Sequence, residues 1–289
     1  ETLNEDHTYE LLTYRTPENR GTDRKVDVES ILRMDRETSP LTFSNIDPET
    51  GRVLITPRGP DPVLYGVRGE SAQVVKAAMG LIEVGEEVER WVVFRTNHGT
   101  DAHLRPVSSV SEVAVYRPVT VRGEVAETPW TGAGGHVYFT ICDFSGQVNC
   151  AAYEPTGSFR NVVKALVRGD SVEVFGGVRA QSPEHPMTIN LEKIRILGLA
   201  SRTTHRNPRC PTCGRSMESM GRDKGFRCEK CRIRYRSDEK VPVSLPRGIS
   251  TGLYIPPPRA HRHLTKPAVR YGREKTGSPD PMIDGWHSP

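Results

Sequence analysis

The sequence is poor in cysteine, in aromatics and in long apolar runs. Six cysteines in 289 residues are too few for a disulfide scaffold. No window approaches the roughly 18 uncharged apolar residues of a membrane helix, which excludes a protein spanning the membrane by helices. No basic-plus-apolar leader follows Glu1, so no secretory signal is visible and a cytoplasmic location is expected. The missing initiator methionine points to a processed chain or a piece of a longer one. What remains is a soluble globular composition, 35% hydrophobic and 26% charged, with a mean hydropathy of −0.53. That is too apolar and too mixed in charge for wholesale disorder, and the length suits two or three domains. With 26 glycines and 23 prolines, short strands and turns are favoured over long helices.

The net charge of +4 hides an asymmetry. Residues 1–200 hold 21 Lys and Arg against 28 Asp and Glu, a net of −7. Residues 201–275 hold 19 against 6, a net of +13. Such a block is the electrostatic footprint expected of a nucleic-acid partner, against the plainer reading of a soluble basic tail.

Residues 1–112 read as an α+β layer. Strands are expected at 9–15, 53–55, 63–67 and 91–94, the last of them apolar and buried, with helices at 26–34 and 71–82. Residues 113–198 read as all-β. Three strands, a short helix at 158–166 and two further strands match a five-stranded OB barrel. Tyr138, Phe139 and Tyr153 are its possible stacking aromatics, and strand alternation requires that some of them face the core. Cys142 and Cys150 lie in its strands as packed free thiols. Residues 199–245 carry the other four cysteines, and residues 246–289 form a basic, Pro-rich tail with an extended stretch at 254–259.

Cys210-Pro-Thr-Cys213 and Cys228-Glu-Lys-Cys231 are paired CxxC knuckles with fourteen residues between them. Each knuckle offers two sulfurs from one tight loop, and two knuckles close a tetrahedral zinc site. Four protein ligands make the zinc structural rather than catalytic. Phe226 and Tyr235 are available to cover so small a core. Around the cysteines, Arg215, Arg222, Lys224, Arg227, Lys230, Arg232, Arg234 and Arg236 are candidate phosphate contacts. Arg232, Arg234 and Arg236 are expected to form a comb on one face of a strand.

Two loops of the first domain, residues 15–24 and 96–103, each concentrate Asn, Gly, Thr and Asp after a strand. Asp23 and Asp101 suit a cationic ligand, and Arg24 and Arg95 suit a phosphate. Turn-building explains the same residue types. No P-loop, no GxGxxG and no complete catalytic constellation is found, so no catalytic residue is assigned.

Three stretches carry a resemblance: YRTPENRGTDRKVD (14–27), ITPRGPDPVLYGVRGES (55–71) and ERWVVFRTNHGTDAHL (89–104). With the paired knuckles and PPPRAHRHLTKP (256–267), they make the chain resemble the C-terminal two-thirds of the archaeal tRNA-isoleucine 2-agmatinylcytidine synthetase family, over about residues 8–270. The resemblance implies a ligase that uses ATP and Mg²⁺ to conjugate agmatine to the wobble cytidine of an isoleucine tRNA. It implies a ferredoxin-like domain, an OB domain and a zinc ribbon, preceded by a kinase-like domain. It places agmatine at Asn19, Gly21, Thr22, Asp23, Asn97, Gly99, Thr100 and Asp101, which sit in the matching loops. The family's Asp-Asp-Thr-Asp motif and Thr-rich segment do not occur here. The expectation is a chain inactive alone, whose kinase-like part belongs to a longer protein or to a separate subunit. The competing reading is a non-catalytic OB-fold and zinc-ribbon protein that binds single-stranded nucleic acid.

Overall fold

The computed structural model describes residues 5–183, 185–235, 240–277, 281 and 283–288. The first unit runs β1 (Thr8–Arg15), α1 (Val28–Thr38), β2 (Thr42–Phe43), β3 (Val63–Gly69), α2 (Ala72–Met79) and β4 (Val88–Thr96). Its strands lie in the order β2-β3-β1-β4, every neighbour antiparallel. Asp27 caps α1 by accepting from the Ser30 N–H, and Ser71 caps α2 by accepting from Val74, which satisfies one orphan donor of each first turn. Ile31 and Met34 of α1 and Val75 and Ala78 of α2 pack on Leu11, Tyr65, Val67 and Val93 of one sheet face. Two expectations shift here. The second strand forms at 42–43, whereas residues 53–55 make only an isolated bridge from Val53 to Ile46. Of the segment 91–94 only Val93 is buried, because helices cover a single face and Phe94 points from the other, 41% exposed.

The second unit is a closed barrel. Its long strands are β6 (Val119–Val125), β8 (Val137–Asp143), β9 (Gly146–Ala152), β10 (Ser171–Arg179) and β11 (Thr188–Gly198), with short β5 (Arg105–Pro106) and β7 (Trp130–Thr131) at its edges and α3 (Phe159–Lys164) between β9 and β10. β6 pairs with β8 and β10, β10 with β11, and β11 runs parallel to β9, which returns to β8. That closure is the OB arrangement expected from the strand spacing. Val121, Phe139, Ile141, Cys150, Val174, Ile189 and Ile194 fill its interior. Cys150 is a buried free thiol whose pKa burial drives upward, and Cys142 is half-buried and also free.

β12 (Thr203–Arg206) leads into the ribbon strands β13 (Glu218–Ser219), β14 (Phe226–Arg227) and β15 (Arg234–Tyr235), and β16 (Val241–Ser244) returns to pair with β12. The closing segment then adds β17 (Gly252–Tyr254) to β11 and crosses to the first unit. Three of its arginines are held by acidic partners. Arg247 forks onto Asp170, Arg259 bridges Asp47 and Glu49, and Arg270 bonds both Asp6 and Glu70. At the far end Val93 donates to the Trp286 carbonyl and Ser288 to the Trp91 carbonyl, which covers the free edge of β4.

Candidate functional site

The four knuckle cysteines meet. Their sulfurs lie within 4.8 Å of one another, around a core of only Cys210, Met217, Phe226 and Cys228. Backbone N–H groups of Cys213 and Thr212 hold the Cys210 thiol down to about 6, while hydrogen bonding to Cys213 and Cys210 and burial push Cys231 up to about 12. Four thiols this close cannot all ionise against one another, and a tetrahedral dication resolves the conflict. The donor set therefore fits a closed structural zinc. Replacing Cys228 with Ser is expected to drop the metal-to-protein ratio from one toward zero and unfold the ribbon while sparing the barrel. Elemental analysis with thiol titration checks this, and four freely titrating thiols in the native parent chain would refute it.

Seven of the proposed phosphate contacts, Arg215, Arg222, Lys224, Arg227, Lys230, Arg232 and Arg234, are exposed, and none has an ion-pair partner among the described residues. Arg236 lies outside the described residues. The comb itself does not form as expected. β15 is two residues long, and Arg232 sits in a left-handed turn at φ 58°, because the second knuckle must reverse the chain there. Tyr235 is exposed at 46% and does not cover the zinc core, whereas Phe226 does.

The two first-domain loops lie at opposite ends of the sheet. Arg15, which precedes one, pairs with Val88, and Thr8 pairs with Thr96, which precedes the other. Eight antiparallel residues separate them by roughly 23 Å. In the first loop, Asn19 donates to Thr16 and Thr22 donates to the Asn19 carbonyl, while Gly21 takes φ +80°. The buried Arg15 guanidinium, paired with Glu86 at 2.7 Å, holds the Thr22 and Asp23 carbonyls. Asp23 lines a cavity of about 500 Å³ with Gly21, Thr22 and Arg58. Arg24, read as a phosphate contact, instead spends its guanidinium on four backbone carbonyls, those of Pro57, Gly59, Asp61 and Val63.

The second loop is a buried joint. Gly99 at φ +68° packs against Phe43 and Pro267, so close that a Cβ would reach Phe43 at 3.2 Å. Asp101 accepts from the fully buried Lys193 Nζ at 2.7 and 2.5 Å and from the Lys266 N–H at 2.7 Å. Burial holds the Lys193 pKa below its ordinary value despite Asp101. Thr100 donates to the Asn97 carbonyl, and both are buried. The structure thus brings Asn19, Gly21, Thr22 and Asp23 together and places Asn97, Gly99, Thr100 and Asp101 elsewhere, where the closing segment covers them.

The barrel carries a surface that the sequence reading only half anticipated. Trp130 stacks on Tyr138 at 5.6 Å between ring centroids, and His136 meets the edges of Tyr138 and Tyr153. These rings line a cavity of about 620 Å³ with Asn149, Arg179 and His185. Gly132 permits the approach, since a Cβ there would lie 2.8 Å from Tyr138. Phe139, the third expected stacking ring, is in the core. Trp130, His136 and Arg179 were missed because only the β7–β8 pairing and the barrel closure assemble them. An aromatic beside the Gly-rich stretch 132–135 was the available signal.

These modules correspond to known families. Residues 1–103 match the family model of the TiaS FLD domain, 119–197 that of the OB-fold nucleic acid binding domain, and 207–249 that of the TiaS C-terminal zinc ribbon domain. The chain is 46% identical over 270 residues to the isoleucine-tRNA 2-agmatinylcytidine synthetase TiaS of Archaeoglobus fulgidus, covering 93% of this chain and 62% of that protein. The chain is a homologue of archaeal TiaS. The Methanocaldococcus jannaschii TiaS is 43% identical, over 90% of this chain and 60% of its own length. The solved complex of TiaS with its isoleucine tRNA and ATP superposes with a TM-score of 0.81 at 45% identity, and the complex with the same tRNA, AMPCPP and agmatine with 0.79 at 43%, each over 93% of this chain and 61% of that one. The chain spans about 60% of the length of the TiaS proteins it matches.

Proposed function

We propose that this chain is the RNA- and amine-binding part of a cytoplasmic ligase that conjugates agmatine to the wobble cytidine of an isoleucine tRNA. The observation that carries this reading is the ribbon's seven exposed cations, without an ion-pair partner among the described residues, together with the stacked rings of the barrel, in a chain homologous to TiaS. Cationic side chains fix an RNA through its phosphates, and rings on a barrel face accept unstacked bases. Among the described residues no helix is long and apolar enough to cross a membrane. We divide the chain at 1–112, 113–198, 199–245 and 246–289 and class the first domain as ferredoxin-like, which its element order and antiparallel strand order support. Zinc held by Cys210, Cys213, Cys228 and Cys231 keeps the ribbon folded.

ATP and Mg²⁺ act, in this reading, on a kinase-like module outside residues 1–289, in cis or as a separate subunit, consistent with the greater length of the TiaS relatives. The purified chain, given tRNA transcript, ATP and labelled agmatine, is expected to bind the tRNA without incorporating label. Label should enter when a kinase-like segment is supplied. Incorporation by the chain alone would overturn this division of labour. Equal affinity for tRNA and for an unstructured oligonucleotide would favour the non-catalytic single-strand binder instead.

Agmatine is assigned to the first loop, with the Asp23 carboxylate as acceptor for the cation. Asp23→Asn is expected to weaken agmatine binding at that loop at least tenfold in calorimetry. Asp101→Asn is expected to lower the melting temperature instead, because it strips the buried Lys193 of its partner. Reversal of the two effects would move the amine to the second loop.

A further inference from the structure

β4 ends the first domain's sheet with nine residues, whereas β2 at the opposite end has two. Its run Trp91-Val92-Val93-Phe94 contains no charge and no proline, the residues that keep a sheet edge from pairing with another chain. What covers this edge is the chain's own C-terminal segment, and the cover is thin. Val93 donates to the Trp286 carbonyl at 2.7 Å, Ser288 to the Trp91 carbonyl at 2.9 Å, and the Trp91 N–H to Ser288 Oγ at 3.1 Å. Ile283 packs at the rim of the core, and Lys76 Nζ donates to the Gly285 carbonyl at 2.8 Å. Residues 284–287 are otherwise exposed.

The segment runs antiparallel to β4, with His287 opposite Val92. The edge therefore accepts an antiparallel strand with Trp91 and Val93 as the residues whose backbone groups point outward. β4 itself fits that place. Turned about a two-fold axis through Val92, a second β4 sets Trp91 opposite Val93 and returns both hydrogen bonds of that pair. The side chains match as well. Trp91 and Val93 lie on the helix-covered face, where Val93 pairs with Leu11 of the core. Arg90, Val92 and Phe94 lie on the other face, so Val92 meets Val92 and Arg90 meets the exposed ring of Phe94. Arg90 already lies over one ring on that face, Tyr14, at 4.8 Å. At the strand ends Glu89 comes beside Arg95, an opposite-charge pair formed twice.

We propose that the β4 edge is a self-association surface, at which two copies of this chain join their sheets antiparallel about Val92, and that residues 283–288 cap it and hold the chain monomeric. The surface is independent of the RNA and amine assignments above.

Sedimentation velocity of the full chain tests this, with zinc content and melting temperature as fold controls. The parent is expected to sediment as a monomer of 32.2 kDa. Ser288→Pro removes the donor to Trp91, and Ile283→Asp unseats the segment's apolar anchor. Either should double the mass at micromolar concentration. Adding Val92→Lys to the released chain sets two lysines face to face on the axis and should restore the monomer. Adding Arg95→Glu sets acid against Glu89 twice and should weaken the dimer by roughly tenfold. A parent dimeric at the same concentration would overturn the capping. Monomers in both released variants, or a dimer indifferent to Val92→Lys and Arg95→Glu, would overturn the surface.

Discussion

Replacing Arg227, Lys230, Arg232 and Arg234 together with glutamine is expected to abolish most of the salt dependence of tRNA binding along with much of the affinity. These side chains are exposed and make no ion pair among the described residues, Glu218 across the strand from Arg227 included, so each is available for a phosphate. Each phosphate contact contributes close to one unit to the slope of log affinity against log salt. Losing four should remove roughly 100-fold of the affinity change between 50 and 200 mM salt. A filter-binding titration at both salts reads the slope directly. Arg259 and Arg270 serve as the contrast. Both belong to the same basic block in sequence, yet their guanidiniums are held by Asp47, Glu49, Asp6 and Glu70, so they should contribute nothing to the slope. An unchanged slope in the ribbon variant would locate the RNA footprint elsewhere.

That contrast shows where the sequence was legible. A charge count sees the +13 of residues 201–275 but not that arginines of its C-terminal part are neutralised by carboxylates two hundred positions earlier, as Arg270 is by Glu70. Local signals were reliable. The CxxC spacing put four sulfurs in one cluster, and alternation in β8 sent Phe139 inward and Tyr138 outward. Register was not local. The loops containing Asp23 and Asp101 have the same composition and both follow strands, and only the antiparallel pairing of Thr8 with Thr96 reveals that they face opposite ways. Trp130 and Arg179 were unreadable as partners for the same reason, being joined by barrel closure rather than by spacing.

Arg270→Met is expected to be among the most destabilising single changes in the chain. Arg270 is 0% exposed and donates to Glu70 at 2.7 Å, to Asp6 at 2.9 Å and to the Gly99 carbonyl at 2.7 Å. Methionine fills much of the volume but leaves the Gly99 carbonyl unbonded and the two carboxylates with only longer lysine pairs, Lys266 at 3.7 Å from Asp6 and Lys275 at 3.9 Å from Glu70. Breaking a buried ion pair from one side costs on the order of 3–5 kcal/mol. Because Gly99 belongs to the joint that packs under the closing segment, the loss should free residues 263–277 from the first domain, and protease sensitivity should appear there first. The pH dependence carries the diagnosis. In the variant, Asp6 and Glu70 are part-buried and have lost their shortest cationic contact, which makes ionising them costlier than in the parent. The variant's folded state then binds more protons than the parent's. The variant's deficit should therefore be small below about pH 4, where both groups are protonated in either state, and grow as pH rises through the raised folded values. Thermal melts of parent and variant from pH 4 to pH 8 check this. A deficit that stays constant across that range would mean that Arg270 acts through packing alone and that the two carboxylates are solvated in the native state.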